Sequence, residues 1–178
     1  MAAGNPLYDI HVGIWTMLEA WAPWAALVKS RNRIKYIQTA KDAVKYRENL
    51  TADHVPEVAI VQAGCRFGDR RASNATSLVL IWNILITTAD ERFDSIMDLQ
   101  WQTFRACLRW DTYLRDALSW NSAAEVRNCE LHQSTESRYG PEINGFNLHR
   151  GIPGWASVWV CETECWFKHS ALIDPTIT

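Results

Sequence analysis

The chain has 178 residues, 48% of them hydrophobic and 21% charged, with a formal net charge of −2. That balance excludes a disordered tail, gives no support to a general polyanion binder, and describes a chain long enough to fold without disulfide or metal staples. Its five cysteines, Cys65, Cys107, Cys129, Cys161 and Cys165, are odd in number and widely spread, so they read as free thiols of a protein made in a reducing compartment.

Residues 1–7 lack the basic start and apolar centre of a signal peptide, and no run reaches the roughly 18 apolar residues of a membrane span, so cytosolic synthesis is expected. The triplets Asn49-Leu50-Thr51 and Asn74-Ala75-Thr76 are then coincidental matches to a glycosylation signal. Asn5-Pro6 is a helix start, with Asn able to accept from the free N–H groups and Pro placed where its missing N–H costs nothing. Leu7, Ile10, Ile14, Leu18 and Trp21 recur at three- and four-residue spacing and predict one apolar stripe. Pro23 is expected to end or kink this helix. Residues 29–33 form a basic turn, 34–38 permit a short strand, and a polar, lysine-rich segment runs to Asp53.

Val58, Ile60 and Val61 follow Pro56 and predict a strand over residues 55–61. Residues 64–74 mix turn formers with charges, in Gly68, Asp69, Arg70, Arg71, Ser73 and Asn74, and predict an exposed, basic-tipped loop. Residues 77–87 are apolar nearly throughout, as expected of a central strand covered on both faces. Thr88 or Asp90 can then cap a helix. Phe93, Met97, Trp101, Phe104, Leu108, Tyr113 and Leu118 fall at mostly helical spacing and predict that this is the longest helix, with the stripe, Trp101 included, turned to the core.

Residues 125–132 predict a strand, and a long Gly- and Pro-containing stretch covers 134–154. Residues 155–167 predict a closing strand with Trp155, Trp159, Cys161, Cys165 and Phe167 on one face and Glu162 and Glu164 on the other. The order implies an α+β fold, a largely antiparallel mixed sheet of about four to five strands with an N-terminal helix and one long helix packed on one face. No repeat or linker divides the chain, so residues 1–178 read as a single domain, with 1–28 the N-terminal helix and 55–168 the core of sheet and long helix. Ten tryptophans are many for one such domain, and some are expected at contacts with other subunits.

Cys161-x3-Cys165-x3-His169 gathers three zinc-ligand types, but residues four apart on a strand stand about 13 Å apart, too far for one ion, so core packing is expected. No cofactor is implied. His11, His54, His132 and His149 could serve a cysteine nucleophile, yet no local motif pairs them, and the common phosphate-loop, hydrolase and zinc-helix motifs are absent. An enzyme is therefore disfavoured. Asp90, Glu91, Asp94 and Asp98 sit at a predicted helix start, where the helix dipole favours carboxylates. The group Arg66, Asp69, Arg70, Arg71 and the basic turn at 29–33 are not interleaved with stacking aromatics, so they read as solvated surface, a salt-bridging contact with a neighbouring subunit, or a positive lining where DNA passes.

Three stretches carry a further pattern. In Asp53-His54-Val55-Pro56-Glu57-Val58-Ala59-Ile60-Val61 an acidic residue and a proline precede a Val-rich strand. Residues 78–87 run through a short turn into Phe93-Asp94-Ser95-Ile96-Met97-Asp98-Leu99, and Gly154-Trp155-Ala156-Ser157-Val158-Trp159-Val160 opens the last strand. In this order they resemble the tail terminator, or tail completion, proteins of long-tailed bacteriophages of the lambda type. The resemblance is one of order more than identity and spans residues 7–167. The chain departs in its greater length, its segment 131–154 and its tryptophan load.

The resemblance implies a structural virion protein of the tail or neck, made in the bacterial host cytoplasm. It implies a homohexameric ring that caps the tail tube, stops its growth and meets the head–tail connector, with DNA passing through the lumen. Its partners would be further copies of itself, the tube protein and the connector, with no membrane, cofactor or catalytic residue. Another neck or tail-completion ring stays open, as do an unrelated interaction module and a small cytosolic enzyme. A ring assembled head to tail needs two different complementary patches. The candidate contact residues are Arg66, Asp69, Arg70 and Arg71 on the first predicted loop and Arg138, Tyr139, Glu142 and Arg150 on the second.

Overall fold

The computed structural model describes residues 5–35, 56–72, 74–88, 92–118, 124–133, 138–139 and 155–168. Helix α1 spans Pro6–Glu19 and starts as its sequence predicts, with Asn5 Oδ1 accepting from the Leu7 N–H at 3.0 Å. Ile10, Ile14 and Leu18 of its stripe are fully buried, and Leu7 and Trp21 pack beside them. Pro23 neither ends nor kinks α1, which has already stopped. It sits in the first turn of a second helix, α2 (Ala22–Leu27), where a missing N–H is harmless.

A short 3-10 turn, Ser30–Asn32, leads to β1 (Arg33–Ile34). Arg33 is no solvated charge: its guanidinium donates to the Val28 carbonyl at 2.8 Å, the Ala25 carbonyl at 3.2 Å and Glu19 Oε1 at 3.2 Å, and lies 5.3 Å from the Trp24 ring. It thereby ties the end of α2 to α1. The expected strand over 34–38 reaches only Ile34 within the described residues.

Strands β2 (Glu57–Ala72) and β3 (Ala75–Thr88) form a long antiparallel hairpin. The basic-tipped loop expected over 64–74 is thus corrected: the ladder continues to Arg71↔Thr76 and Ala72↔Ala75. Two irregularities, between Gln62 and Gly64 and between Phe67 and Arg71, absorb the extra residues of β2. Glycines 64 and 68 fall at these irregular points, where a strand tolerates them. Cross-strand pairing with the apolar β3 overrides the weak strand preference of Asp69, Arg70 and Arg71.

Helix α3 (Phe93–Cys107) is followed by a turn and a single helical turn, α4 (Trp110–Tyr113). The one long helix is therefore two pieces. Its buried residues are Ile96, Leu99, Thr103, Ala106 and Cys107, so the expected core stripe is also corrected: Phe93, Met97, Trp101 and Leu108 point outward. Leu118 and Leu114, beyond α4, are buried.

Strands β4 (Ala124–Gln133), β5 (Arg138–Tyr139) and β6 (Trp155–Lys168) complete a sheet of order β1-β2-β3-β6-β4, with β5 also on β6. Among the described strands only β1 pairs in parallel, so the fold is the α+β arrangement expected, with four long strands and two of two residues described. The helices cover one face. There Ile14, Leu18 and Trp24 meet Leu80, Trp82, Ile84 and Ile86 of β3 and Cys161, Cys165 and Phe167 of β6. The alternation expected in β6 holds, since Cys161, Cys165 and Phe167 are buried while Glu162 and Glu164 look to the other side. A second small cluster, Ala59, Leu85, Ala156 and Val158, lies on that opposite face, so this end of β3 is covered on both sides.

Candidate functional site

Two surfaces stand out, one on each side of the sheet. On the helical side, Phe93, Met97, Trp101 and Leu108 are 48%, 50%, 54% and 64% exposed and occupy successive turns of α3 and its end. Half-buried Phe104 completes the row, with Trp101 stacked on it at 5.7 Å between ring centroids. Two tryptophans of β6 extend the row onto the sheet: Phe93 meets Trp155 at 4.7 Å and Phe104 meets Trp159 at 6.5 Å. Gln100 Nε2 donates to Ser157 Oγ at 2.9 Å and ties α3 to β6 beside the ridge. Single exposed apolar side chains are ordinary, but a contiguous row of this kind marks a contact surface.

Two other partly exposed tryptophans, Trp21 and Trp166, are treated differently. Trp21 donates to Gln102 Oε1 at 2.9 Å and carries the guanidinium groups of Arg105 and Arg109 at 4.8 and 5.7 Å, while Arg127 lies over Trp166 at 4.2 Å. Among the described residues no cation lies over Trp101. In the core, Trp24 Nε1 donates to Thr103 Oγ1 at 3.1 Å and Trp15 Nε1 to His11 Nε2 at 3.1 Å. Burial lowers the pKa of His11, which sits 5.6 Å from the Trp82 ring, against an opposing hydrogen bond to the Ile60 backbone.

On the opposite face, Arg66, Gly68, Val79, Asn128, Glu130, Glu162 and Glu164 line an open cleft of about 270 Å³. Glu130 and Glu162 are direct cross-strand partners, a like-charge pair that needs compensation. It is supplied within the fold. Arg66 reaches over β3 to Glu162 at 2.8 Å, Asn128 Nδ2 donates to Glu130 at 2.9 Å, and the Ser77 hydroxyl donates to Glu164 at 2.6 Å. At Gly68 a Cβ would come within 2.3 Å of Ser77 Oγ, so the close approach of β2 to β3 here requires glycine. With each carboxylate so engaged, the cleft binds the strands to one another. Among the described residues no three His, Cys, Asp or Glu side chains are grouped to hold a metal ion.

Comparison of the chain with models of known protein families and with curated proteins finds no match. The functional reading therefore rests on the chemistry of the ridge and the cleft.

Of the contact residues proposed from sequence, Arg66 is placed in β2 and lies in the cleft beside Glu162. Asp69, Arg70 and Arg71 belong to the backbone of β2, and Arg138 and Tyr139 form β5 opposite Ala156 and Trp155, so neither group sits in a loop. The side chains of these five are outside the described set, as are residues Glu142 and Arg150 altogether. Asp90, Glu91, His54, His149 and His169 also lie outside it. Of the acidic group, Asp94 pairs with Arg92 at the start of α3, and that hydrogen bond lowers its pKa. Asp98 accepts from Gln102 at 3.2 Å.

Sequence reasoning assigned the ridge to the core. The discriminating signal is that α3 carries two apolar rows, a bulky one through Trp101 and a compact one through Leu99. Only the compact row fits between α1 and the sheet.

Proposed function

We infer that the chain is a structural subunit that assembles with copies of itself, and that the assembly is a ring of the phage tail terminator type. Such a ring caps the tail tube and joins it to the head–tail connector. The observation that carries this reading is the exposed ridge of Phe93, Met97, Trp101 and Leu108 on α3. Aromatic residues and methionine are the types enriched in the buried centres of protein interfaces, and their exposure in an isolated chain is relieved by a partner. A closed ring built head to tail needs a second, different patch, and the polar sheet face around Arg66, Glu130 and Glu164, on the opposite side of the molecule, is our candidate for it. Another neck or tail-completion ring would need two complementary patches as well, and the choice of terminator comes from the order of elements in the sequence.

Native mass spectrometry of the purified chain, with negative-stain images of the same sample, tests the reading. The expected result is a closed oligomer, a hexamer for a terminator. The double substitution Met97→Glu with Trp101→Glu should give a folded monomer with an unchanged circular dichroism spectrum. A wild-type chain that stays monomeric at high concentration and in the presence of tail tubes, or a double variant that assembles as well as wild type, would sink the proposal.

A further inference from the structure

The geometry points to Cys129 and Cys161 as a redox pair that closes into a disulfide, fastening the edge strand β4 to β6. The five thiols are all free in this state, but they are not equivalent. Cys129 Sγ and Cys161 Sγ lie 3.5 Å apart across the β4–β6 ladder. In that ladder Cys129 stands opposite Thr163 and Cys161 opposite Leu131, so the two cysteines are diagonal neighbours on the same face of the sheet. A disulfide needs the sulfurs at about 2.05 Å, so each must swing by less than about 1 Å, within reach of small changes in side-chain torsion.

Their surroundings divide the roles. Cys129 is half-buried on the edge strand β4, whereas Cys161 is completely buried. The two thiols share a hydrogen bond in which either sulfur can donate, and their interaction lowers the pKa of Cys129 and raises that of Cys161. The more exposed Cys129 is therefore the sulfur that meets the oxidant, and the buried Cys161 is the resolving thiol. Burial raises the pKa of Cys165 to about 12 and that of Cys107 further still, so both remain protonated bystanders.

The oxidant is a hydroperoxide. The Cys129 thiolate attacks one peroxide oxygen, the O–O bond breaks, and the departing hydroxide takes up a proton to leave as water, giving a sulfenic acid. The Cys161 sulfur then attacks the Cys129 sulfur. The S–O bond breaks, the hydroxyl leaves as a second water with the Cys161 proton, and the S–S bond forms. Two thiols and one hydrogen peroxide thus become one disulfide and two waters. Among the described strands β4 pairs with β6 alone, so the new bond secures the one strand held from a single side at that edge. This inference does not depend on the assembly reading.

The test uses the full chain with Cys65→Ser, which removes the exposed thiol and with it cross-linking between molecules. Equimolar hydrogen peroxide is added, remaining thiols are alkylated, and the protein is mapped by mass spectrometry without reduction. The expected product has lost two hydrogens, contains one linked pair of peptides carrying Cys129 and Cys161, and reverts with dithiothreitol. It also melts at a higher temperature than the reduced form, whereas Cys129→Ser shows no such rise. With Cys161→Ala, dimedone should trap a sulfenic acid on Cys129. Unchanged thiols, Cys129 carried to the sulfinate without a link, or a link to Cys107 or Cys165 would overturn the assignment, provided that Cys65→Ser keeps the wild-type circular dichroism spectrum; the unsubstituted chain, mapped in the same way at low concentration, gives the same readout if it does not.

Discussion

Leu99 and Trp101 are near neighbours on α3 and face opposite ways, at 1% and 54% exposure. Their truncation should therefore have opposite ranks to their sizes. Leu99→Ala removes buried methyl groups and leaves a cavity, at a cost of about 2–5 kcal/mol, whereas Trp101→Ala should stay within about 1 kcal/mol of wild type. Urea unfolding of both variants measures the difference, and a larger loss for Trp101→Ala would place the ridge back in the core. His11 gives the pH dependence at this scale. Its folded pKa lies below the ordinary value of 6.5 because burial disfavours the charged ring. The unfolded chain thus binds the proton more readily. The stability associated with neutral His11 is fully present above about pH 6.5 and is lost as the pH falls through the lower folded value. The melting temperature should drop between about pH 7.5 and pH 5.5, and His11→Gln, whose amide can still accept from Trp15, should flatten that part of the slope. An equal slope in both proteins would remove His11 from the account.

At the scale of elements, α1 depends on its cap and on one close approach. Asn5→Ala should cost about 1 kcal/mol by leaving the Leu7 N–H without its acceptor. Gly13→Ala sets a Cβ 2.5 Å from Leu114 Cδ2, and because Leu114 is fully buried any shift of its side chain disturbs the packing around it. The overpacking, about 1–3 kcal/mol, should outweigh the roughly 1 kcal/mol gained in helix propensity. A stabilised Gly13→Ala, read by the same denaturation, would show that Leu114 has room. These features also mark what was legible in advance. The Asn5-Pro6 start, the Ile10–Ile14–Leu18 stripe and the alternation of β6 are written in residue type and spacing. The face of α3 was not, because both of its apolar rows have helical spacing and the bulkier one is the exposed one. The outer half of β2 was not either, because Asp69, Arg70 and Arg71 look like a turn until the pairing with β3 is known. The cleft could be anticipated only in part: the sequence offered Arg66, Glu162 and Glu164, but the register that sets Arg66 against Glu162 joins residues 96 apart in the chain.

At the scale of the whole molecule, the ridge and the polar sheet face lie on opposite sides, which is the layout a head-to-tail contact needs. Substitutions in the two patches should then complement each other. Trp101→Glu disables one patch and Arg66→Glu the other, and each chain alone should remain monomeric. Mixed in equal amounts, they retain one good patch each and should form a dimer that grows no further, visible by native mass spectrometry. Larger rings from the mixture, or no association at all, would show that the two patches do not meet.

The position of β3 between β2 and β6 bears on how the molecule comes to be folded. Its partner on one side is a hairpin neighbour, but on the other side Ser77 meets Glu164, 87 residues further along the chain. The hairpin can close early and locally, whereas the β3–β6 seam waits for α3 and β4 to be synthesised and must then bring distant segments together. During that interval one edge of the most apolar strand in the sheet is open to any other strand nearby, including the same strand of a second nascent chain. Refolding from denaturant should accordingly be slow for a chain of this size and its yield should fall with protein concentration, an order of events written into the sheet by which strand lies at its centre.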